Sequence, residues 1–304
     1  MSEEQIKTRF GAVGVFGRAN SGKSTLVNAL VGEKVSIVSK RPQTTRRRIL
    51  GILSRGQDQV VFCDTPGLHA IKNRLDAFMA REIETTAEGL QGAMYLVDLT
   101  DVKPEEDAAH LKNLQTWLGK DTPLYLVLNK IDAPKKADPD GVEKAYDAFA
   151  AFATKFRVSA ERRTGLESLL ESIFGLLVPS PHAYADDLFT SQSEREIAEE
   201  TIREVILEKY YHEVPHSVAV MVEQFKEREN GKTFIEAHLV IERESHRKIL
   251  LGHEGEGMKA VGSLARERLN GILGRDIYLQ LWVKVRPNWR KQDAWVRNLG
   301  YRDR

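Results

Sequence analysis

Eight consecutive residues, Gly17-Arg18-Ala19-Asn20-Ser21-Gly22-Lys23-Ser24, fit the pattern G-x-x-x-x-G-K-[ST]. Glycines there let backbone N–H groups curl around phosphate oxygens, and a helix starting at Lys23 adds positive potential. Lys23 can reach β- and γ-phosphates, the Ser24 hydroxyl can bind Mg²⁺, and Thr25 extends the candidate contact set. Further on comes Asp64-Thr65-Pro66-Gly67. An acid ending a buried strand can hold the Mg²⁺ water shell, and the Gly67 N–H can touch a terminal phosphate. Alone this tetrapeptide is an ordinary turn; the loop before it gives it meaning. Gln43-Thr44-Thr45-Arg46 lies between the two. A threonine there, Thr45 in preference to Thr44, can close over Mg²⁺ only when a terminal phosphate is present, as an order–disorder switch. Arg46, Arg47 and Arg48 could stabilise phosphate charge, but read rather as a solvated basic face or partner surface.

A second group of residues suits a base. Asn129-Lys130-Ile131-Asp132 directly follows the apolar run Leu124–Leu128. The Asp132 carboxylate can accept two hydrogen bonds, from guanine N1–H and the 2-amino group. Adenine offers neither, and such mismatches cost factors of roughly 10⁴. Asn129 can bond the O6/N7 side and tie its loop to the phosphate loop. The Lys130 stem can lie across the base face. Ser159-Ala160 would offer a backbone N–H to guanine O6, a signal that counts only in this series. The position after Gly67 is Leu68, which cannot orient an attacking water; His69 beside it could act as a base, but reads rather as a surface-turn histidine.

These residues need a scaffold. Strands are expected at Ala12–Phe16, Val60–Cys63, Ala93–Asp98, Leu124–Asn129 and Lys155–Ser159. Helical stretches lie between them: Lys23–Val31, Pro104–Leu118, Gly141–Ala153, then Leu166–Leu177. Alternation of this kind implies an α/β fold, a mostly parallel sheet with helices on both faces. Pro179 and Pro181 end it, so residues 1–178 read as one domain and 179–193 as a linker. From 194 a smaller α+β sandwich follows, roughly 90 residues of it before the tail. Ser193 and Glu196 form a capping-box pattern, and Ile202, Val205, Ile206 and Tyr210 share one helical face. Ser217–Phe225 and Thr233–Ile241 are strand-like around Asn230-Gly231, a hairpin signal. A glycine-rich turn (Gly252–Gly257), a helix near Met258–Leu273 and the strand Ile277–Val285 complete it. On that strand Leu279, Leu281, Val283 and Val285 should face the core. Trp282, with Tyr278, Lys284 and Arg286 on the other face, can stack on a base or pack against a helix.

Composition narrows the class. Net charge is +1, so the whole chain has no strong pull toward polyanions. Residues 259–304, however, carry eleven Lys/Arg against four acids, a local +7. Cys63 is the only cysteine, which rules out an internal disulfide and fits a reducing compartment. Met-Ser-Glu-Glu-Gln is unlike a secretory signal, and no long apolar run exists. A cytoplasmic protein is the expectation. His182, His212, His216 and His246 lack metal-ligand spacing, so no zinc is expected.

The five nucleotide motifs in this order resemble the translation-factor class of P-loop GTPases over residues 10–178. The Asn-Lys-x-Asp element argues against an ATPase or nucleoside kinase. Leu68 is similar to the subgroup with an apolar residue in place of the water-positioning glutamine. In several of its members an asparagine at the Asn20 position helps bind K⁺. That resemblance adds Asn20 to Lys23, Thr45 and Gly67 as catalytic candidates.

Gly252-His253-Glu254-Gly255 with the following Met258–Arg266 resembles the Gly-x-x-Gly loop and helix of a KH domain, which clamps a single-stranded backbone. Gly252, His253, Gly255, Lys259 and Arg266 are then the RNA-binding candidates. Glu254 departs from the usual basic or amide-bearing interior and repels phosphate. A GTPase fused to such a segment resembles the bacterial Era family across nearly the whole chain. The resemblance implies GTP/GDP and Mg²⁺ as ligands. It implies binding near the 3′ end of small-subunit ribosomal RNA, action on the 30S particle and possible peripheral contact with the inner membrane. No DNA partner is expected, and the chain is expected to be a monomer. A signalling GTPase whose basic C-terminal domain docks on protein or anionic membrane stays open as the alternative. Slow intrinsic hydrolysis is expected, faster in K⁺ than in Na⁺ at equal ionic strength. Phosphate-release assays in the two salts check this, and equal rates remove it.

Overall fold

Short apolar runs and the helices between them build a layered first unit. The computed structural model describes residues 7–39, 41, 43–211, 214–228 and 231–302. It divides into two compact units, Met1–Ala70 with Met79–Ser191 and Ile71–Phe78 with Gln192–Arg304. Up to Ser191 the elements are β1 (Arg9–Gly17), α1 (Lys23–Val31), β2 (Ile49–Arg55), β3 (Asp58–Asp64), α2 (Arg74–Thr86, crossed by the division), β4 (Gly92–Asp98), α3 (Pro104–Trp117), β5 (Leu124–Asn129), α4 (Pro139–Tyr146), β6 (Thr154–Val158), α5 (Leu166–Phe174) and β7 (Val178–Pro179).

The strands join in the order β2-β3-β1-β4-β5-β6, with β7 paired to β1. β3, β1, β4, β5 and β6 run parallel; β2 and β7 are antiparallel to their neighbours. Successive side chains leave a strand on opposite faces. Met94 and Leu96 therefore join Leu26 and Leu169 in one apolar layer, while Tyr95 and Val97 join Leu111 and Tyr146 in the other. Every residue of β4 is buried, as a strand covered on both faces requires.

Some elements differ from the sequence expectation. β2 goes unseen in the sequence because Gly51 interrupts it; a Cβ there would sit 2.8 Å from Val27. α2 also goes unseen, although Leu75, Phe78, Met79 and Ile83 follow a helical spacing and are all buried. α4 ends at Tyr146 instead of running to Ala153. It starts earlier because the Asp138 side chain accepts from Gly141 N at 2.9 Å. The segment expected as a linker is hydrogen-bonded along the first unit. Ser180 N donates to Thr8 O at 3.0 Å, and Ile52 N to Phe189 O at 2.8 Å. The Gln59 side chain bonds Ala183 N, Tyr184 N and Tyr184 O.

The second unit contains α6 (Glu194–Lys209), α7 (Val214–Ser217), β8 (Ala219–Glu227), β9 (Thr233–Ile241), α8 (Glu244–Leu251), α9 (Glu256–Leu273), β10 (Ile277–Val285) and α10 (Asp293–Asn298). Its sheet runs β10-β9-β8, with β9 parallel to β10 and antiparallel to β8. A parallel neighbour needs a crossover, which α8 and α9 supply. Ile202, Val205 and Ile206 of α6 meet Val261, Ala265 and Leu269 of α9 and the inner residues of β9 in one core. Leu279, Leu281, Val283 and Val285 of β10 pack against it. Trp282, on the other face, remains 49% exposed. Of the hairpin signal, Asn230 lies outside the described residues, as does His212 among the histidines.

Ser193 caps α6: its side chain accepts from Glu196 N at 3.3 Å, and Glu196 returns to Ser193 N at 2.9 Å. Ser193→Ala removes one arm and is expected to cost about 1 kcal/mol. Denaturant titration should show a lower midpoint, with faster amide exchange in the first turn of α6; an unchanged midpoint contradicts this account of the cap.

Candidate functional site

In a parallel sheet the residues at the carboxyl ends of neighbouring strands converge on one edge. Gly17, Asp64, Asp98 and Asn129 end β1, β3, β4 and β5, and Ser159 follows β6. The edge thereby gathers the candidates Gly17, Asp64, Asn129 and Ser159 from four of these strands, with Asp98 of β4 among them.

The phosphate loop runs from Gly17 to the start of α1. Gly17 and Gly22 have φ of 141° and 96°, and Asn20 has φ of 64°, so the chain curls tightly. The helix opens with no side-chain cap, leaving its first N–H groups for a ligand. Lys23 is buried, and its Nζ donates to Gly17 O at 3.0 Å and Arg18 O at 2.8 Å. Burial pulls the ammonium down to about 8, against the pull of Asp64. A polyphosphate entering the loop would restore the charge.

Asp64 is fully buried, and burial raises its carboxyl, with hydrogen bonds opposing. Thr45 Oγ1 lies 3.4 Å from Asp64 Oδ2 and 2.9 Å from Ser24 Oγ. Asp64 Oδ1 has no hydrogen-bond partner among the described residues. Two hydroxyls and one partly unsatisfied carboxylate suit Mg²⁺, which takes few protein ligands and keeps waters and phosphate oxygens. Thr45, not Thr44, occupies this place; Thr44 Oγ1 donates to Arg41 O at 2.6 Å. Gly67 presses on the phosphate loop: a Cβ there would meet the Ala19 Cα at 2.6 Å. Leu68 N donates to Gly17 O at 3.2 Å, and its side chain packs against the apolar layer. The Thr65 hydroxyl anchors this turn to Val15 O at 2.7 Å.

Two expectations need correction here. Arg46 is buried, at 2% exposure, and so is not part of a solvated face. His69 is no simple surface histidine: its Nδ1 lies 2.7 Å from Gly67 O and its Nε2 3.0 Å from Gln43 Nε2. Sequence spacing could not show that pair, since the two residues meet only through the fold.

At the other end, Asn129 is 2% exposed. Its Nδ2 donates to Ser21 O at 3.0 Å, and its Oδ1 accepts from Ala160 N at 3.1 Å. Lys130 sits at φ 67° and its Nζ reaches Asn20 O at 3.2 Å and the Asp98 carboxylate. Asp132 sits at the open rim beside Ile131. The Ser159 hydroxyl holds its carboxyl below the usual range, and Arg162 adds to this at 3.2 Å. An ionised carboxylate is what recognition of two guanine N–H donors requires. Sequence analysis missed Asp98, which caps its own turn through Thr100 N at 2.8 Å and pairs with Lys130.

In the second unit α8 ends at Leu251 and the chain turns through Gly252 (φ 67°), Glu254 (φ 48°) and Gly255 (φ 80°). Left-handed backbone suits the two glycines and strains Glu254. Gly252, His253, Glu254, Lys259 and Arg266 are exposed, with Gly255 half-buried. Neither Lys259 nor Arg266 has an ion-pair partner among the described residues. The loop opens an 18-residue helix, whose N-terminus favours an anion.

Comparison with known proteins agrees on both units. A family described as 50S ribosome-binding GTPase matches residues 12–130. A KH domain family matches residues 213–290. The chain is 39% identical to GTPase Era of Carboxydothermus hydrogenoformans, covering 96% of this chain and 97% of that one. It is 39% identical to GTPase Era of Geobacter sp. strain M21, covering 99% of this chain and all of that protein. Among solved structures, Era in complex with MgGDPNP and nucleotides 1506–1542 of 16S ribosomal RNA superposes with a TM-score of 0.90. There the identity is 30% and the coverage 97% of this chain and 99% of that one. An Aquifex aeolicus Era variant bound to GDP and AlF4⁻ gives the same TM-score and identity.

The buried Lys23 sets a pH dependence. Below about pH 7 the ammonium is already charged and affinity for a nucleoside diphosphate should be flat. Above about 8 each binding event must first protonate Lys23, so affinity should fall toward tenfold per pH unit. Fluorescent-nucleotide titrations from pH 6.5 to 9.5 check this; flat affinity throughout contradicts the shift.

Proposed function

The chain belongs to the Era family of GTPases, and from that premise we propose a GTP-hydrolysing ribosome-assembly factor that holds the 3′ region of small-subunit ribosomal RNA in its KH unit. It binds GTP and GDP with Mg²⁺ and acts on the 30S particle in the cytoplasm. One observation supports the enzymatic part above the rest: a single sheet edge presents a phosphate cradle at one end and an ionised carboxylate for guanine at the other.

In this reading Gly17–Thr25 cradle the phosphates, with Lys23 leaving the Gly17 and Arg18 carbonyls to meet them. Ser24, Thr45 and Asp64 hold Mg²⁺, the last through water; the ion supplies positive charge to the β- and γ-phosphates. Thr65, Pro66, Gly67 and Leu68 set the far wall against Ala19. Asn129, Lys130, Ile131 and Asp132 hold the base with Ser159 and Ala160. Leu68 is turned into apolar packing and orients no water, so the unassisted rate is low. In this reading Asn20 adds K⁺ near the phosphates. Residues 1–178 act as the catalytic domain, with 194–304 as the RNA-binding domain.

The exposed Gly252–Gly255 loop supports the RNA part. It admits a phosphate backbone to the start of α9, with Lys259 and Arg266 for charge. Glu254 opposes the same anion, and His253 and Gly255 leave room beside it.

Filter binding of a single-stranded ribosomal RNA 3′ segment, as a salt titration, tests this. Affinity should fall steeply with salt, and Lys259→Glu should weaken it about tenfold while flattening the slope by roughly 0.7. Glu254→Gln should strengthen binding at low salt. Absence of RNA binding at low salt with a GTP analogue present would favour a protein- or membrane-docking GTPase instead.

A further inference from the structure

Arg18, the second residue of the phosphate loop, sets its guanidinium against Asp101 and Asp107, just before and at the start of α3. Its Nε donates to Asp107 Oδ1 at 3.1 Å, its Nη1 to Asp101 Oδ2 at 3.1 Å, and its Nη2 to Asp101 O. Asp107, in the first turn of α3, is 1% exposed. The same carboxylate accepts from the Tyr95 hydroxyl of β4 at 2.7 Å and from the Tyr146 hydroxyl at the end of α4. Burial, reinforced by Asp107, pushes both phenols up, so both remain donors. Burial works against the Arg18 charge, but Asp107 and Asp101 outweigh it and raise the guanidinium.

Four pieces of the first unit thus meet on one carboxylate: the phosphate loop, α3, β4 and α4. Among the described residues, Asp107 touches the nucleotide edge through Arg18. The Arg18 carbonyl is also held from the other side, by Lys23 Nζ at 2.8 Å. A buried ion pair adds little net stability compared with well-packed apolar residues of the same volume. What it does supply is a fixed geometry, since a guanidinium fork accepts few orientations.

We propose that Asp107 is a positioning residue for GTP binding and hydrolysis. By clamping Arg18 it presets the curl of residues 18–20, so the loop N–H groups face the phosphates before nucleotide arrives. The inference rests on the GTPase reading. Loosening the clamp makes the loop order itself on binding, so the loss falls chiefly on affinity and KM.

The test uses full-length Asp107→Asn, Arg18→Gln and the double variant, with fluorescent GDP affinity and GTP turnover in Mg²⁺ and K⁺. Each single change should weaken GDP about tenfold and raise KM in step, with a smaller change in kcat. The double variant should bind no more weakly than the worse single one, because both cut the same link. Should Asp107→Asn fail to fold, Arg18→Gln alone must still show the tenfold loss. Additive losses, or normal affinity in variants that merely melt earlier, would mean Asp107 is only a core residue and overturn the proposal. A wild-type chain that ignores GDP overturns the GTPase reading and this inference with it. Normal wild-type binding with unaffected variants overturns this inference alone.

Discussion

One buried amide, that of Asn129, joins the two ends of the nucleotide edge. Its nitrogen holds Ser21 O of the phosphate loop and its oxygen holds Ala160 N of the loop after β6. A side-chain amide is neutral, and it both donates and accepts in fixed directions. A carboxylate here would repel Ser21 O, and a lysine could not take the Ala160 N–H. The contact also dictates its neighbour. A Cβ on Gly22 would sit 2.3 Å from Asn129 Nδ2, so the glycine is required by the amide as well as by its positive φ. The spacing between a phosphate cradle and a base reader is therefore set by a covalently rigid group, not by loop length.

Around that tie the electrostatics are arranged for a charged ligand. Among the described residues, Lys23 is buried with the Gly17 and Arg18 carbonyls as its hydrogen-bond acceptors, and Asp64 is buried with one oxygen unpartnered. Burial makes both charges costly, and an anion and a cation bound together would relieve them. Stability given up locally becomes selectivity for a magnesium-bearing polyphosphate. Thr45 already stands between Ser24 and Asp64, so ordering the segment around it would link phosphate and metal occupancy to surface shape. The Glu254 loop follows a different logic. It sets a helix N-terminus and the exposed Lys259 and Arg266, unpaired among the described residues, beside the Glu254 carboxylate.

Much of this was legible in the sequence because the edge is built from contiguous motifs that follow apolar strands. The runs at 93–98 and 124–129 are continuous because both sheet faces are covered, and their ends mark the edge directly. β9 and β10 were legible to the residue, since one face alternates into the core. Ile49–Arg55 was not, because it pairs at the sheet margin and carries a glycine. α2 was readable by spacing, but a polar stretch before it hid its start. Contacts between distant residues were illegible in principle: Arg46 looked solvated beside Arg47 and Arg48, and only the fold shows that it is covered. The Asp107 cluster likewise joins residues 18, 95, 107 and 146, which no local pattern connects.

The central claim is that one edge grips a polyphosphate and reads a guanine through groups locked together by Asn129. Isothermal titration calorimetry of the purified chain with GDP and ADP, each with Mg²⁺, tests it most directly. The account predicts saturable GDP binding and ADP binding weaker by roughly 10⁴, below detection. Equal heats for the two nucleotides, or none for either, would contradict it.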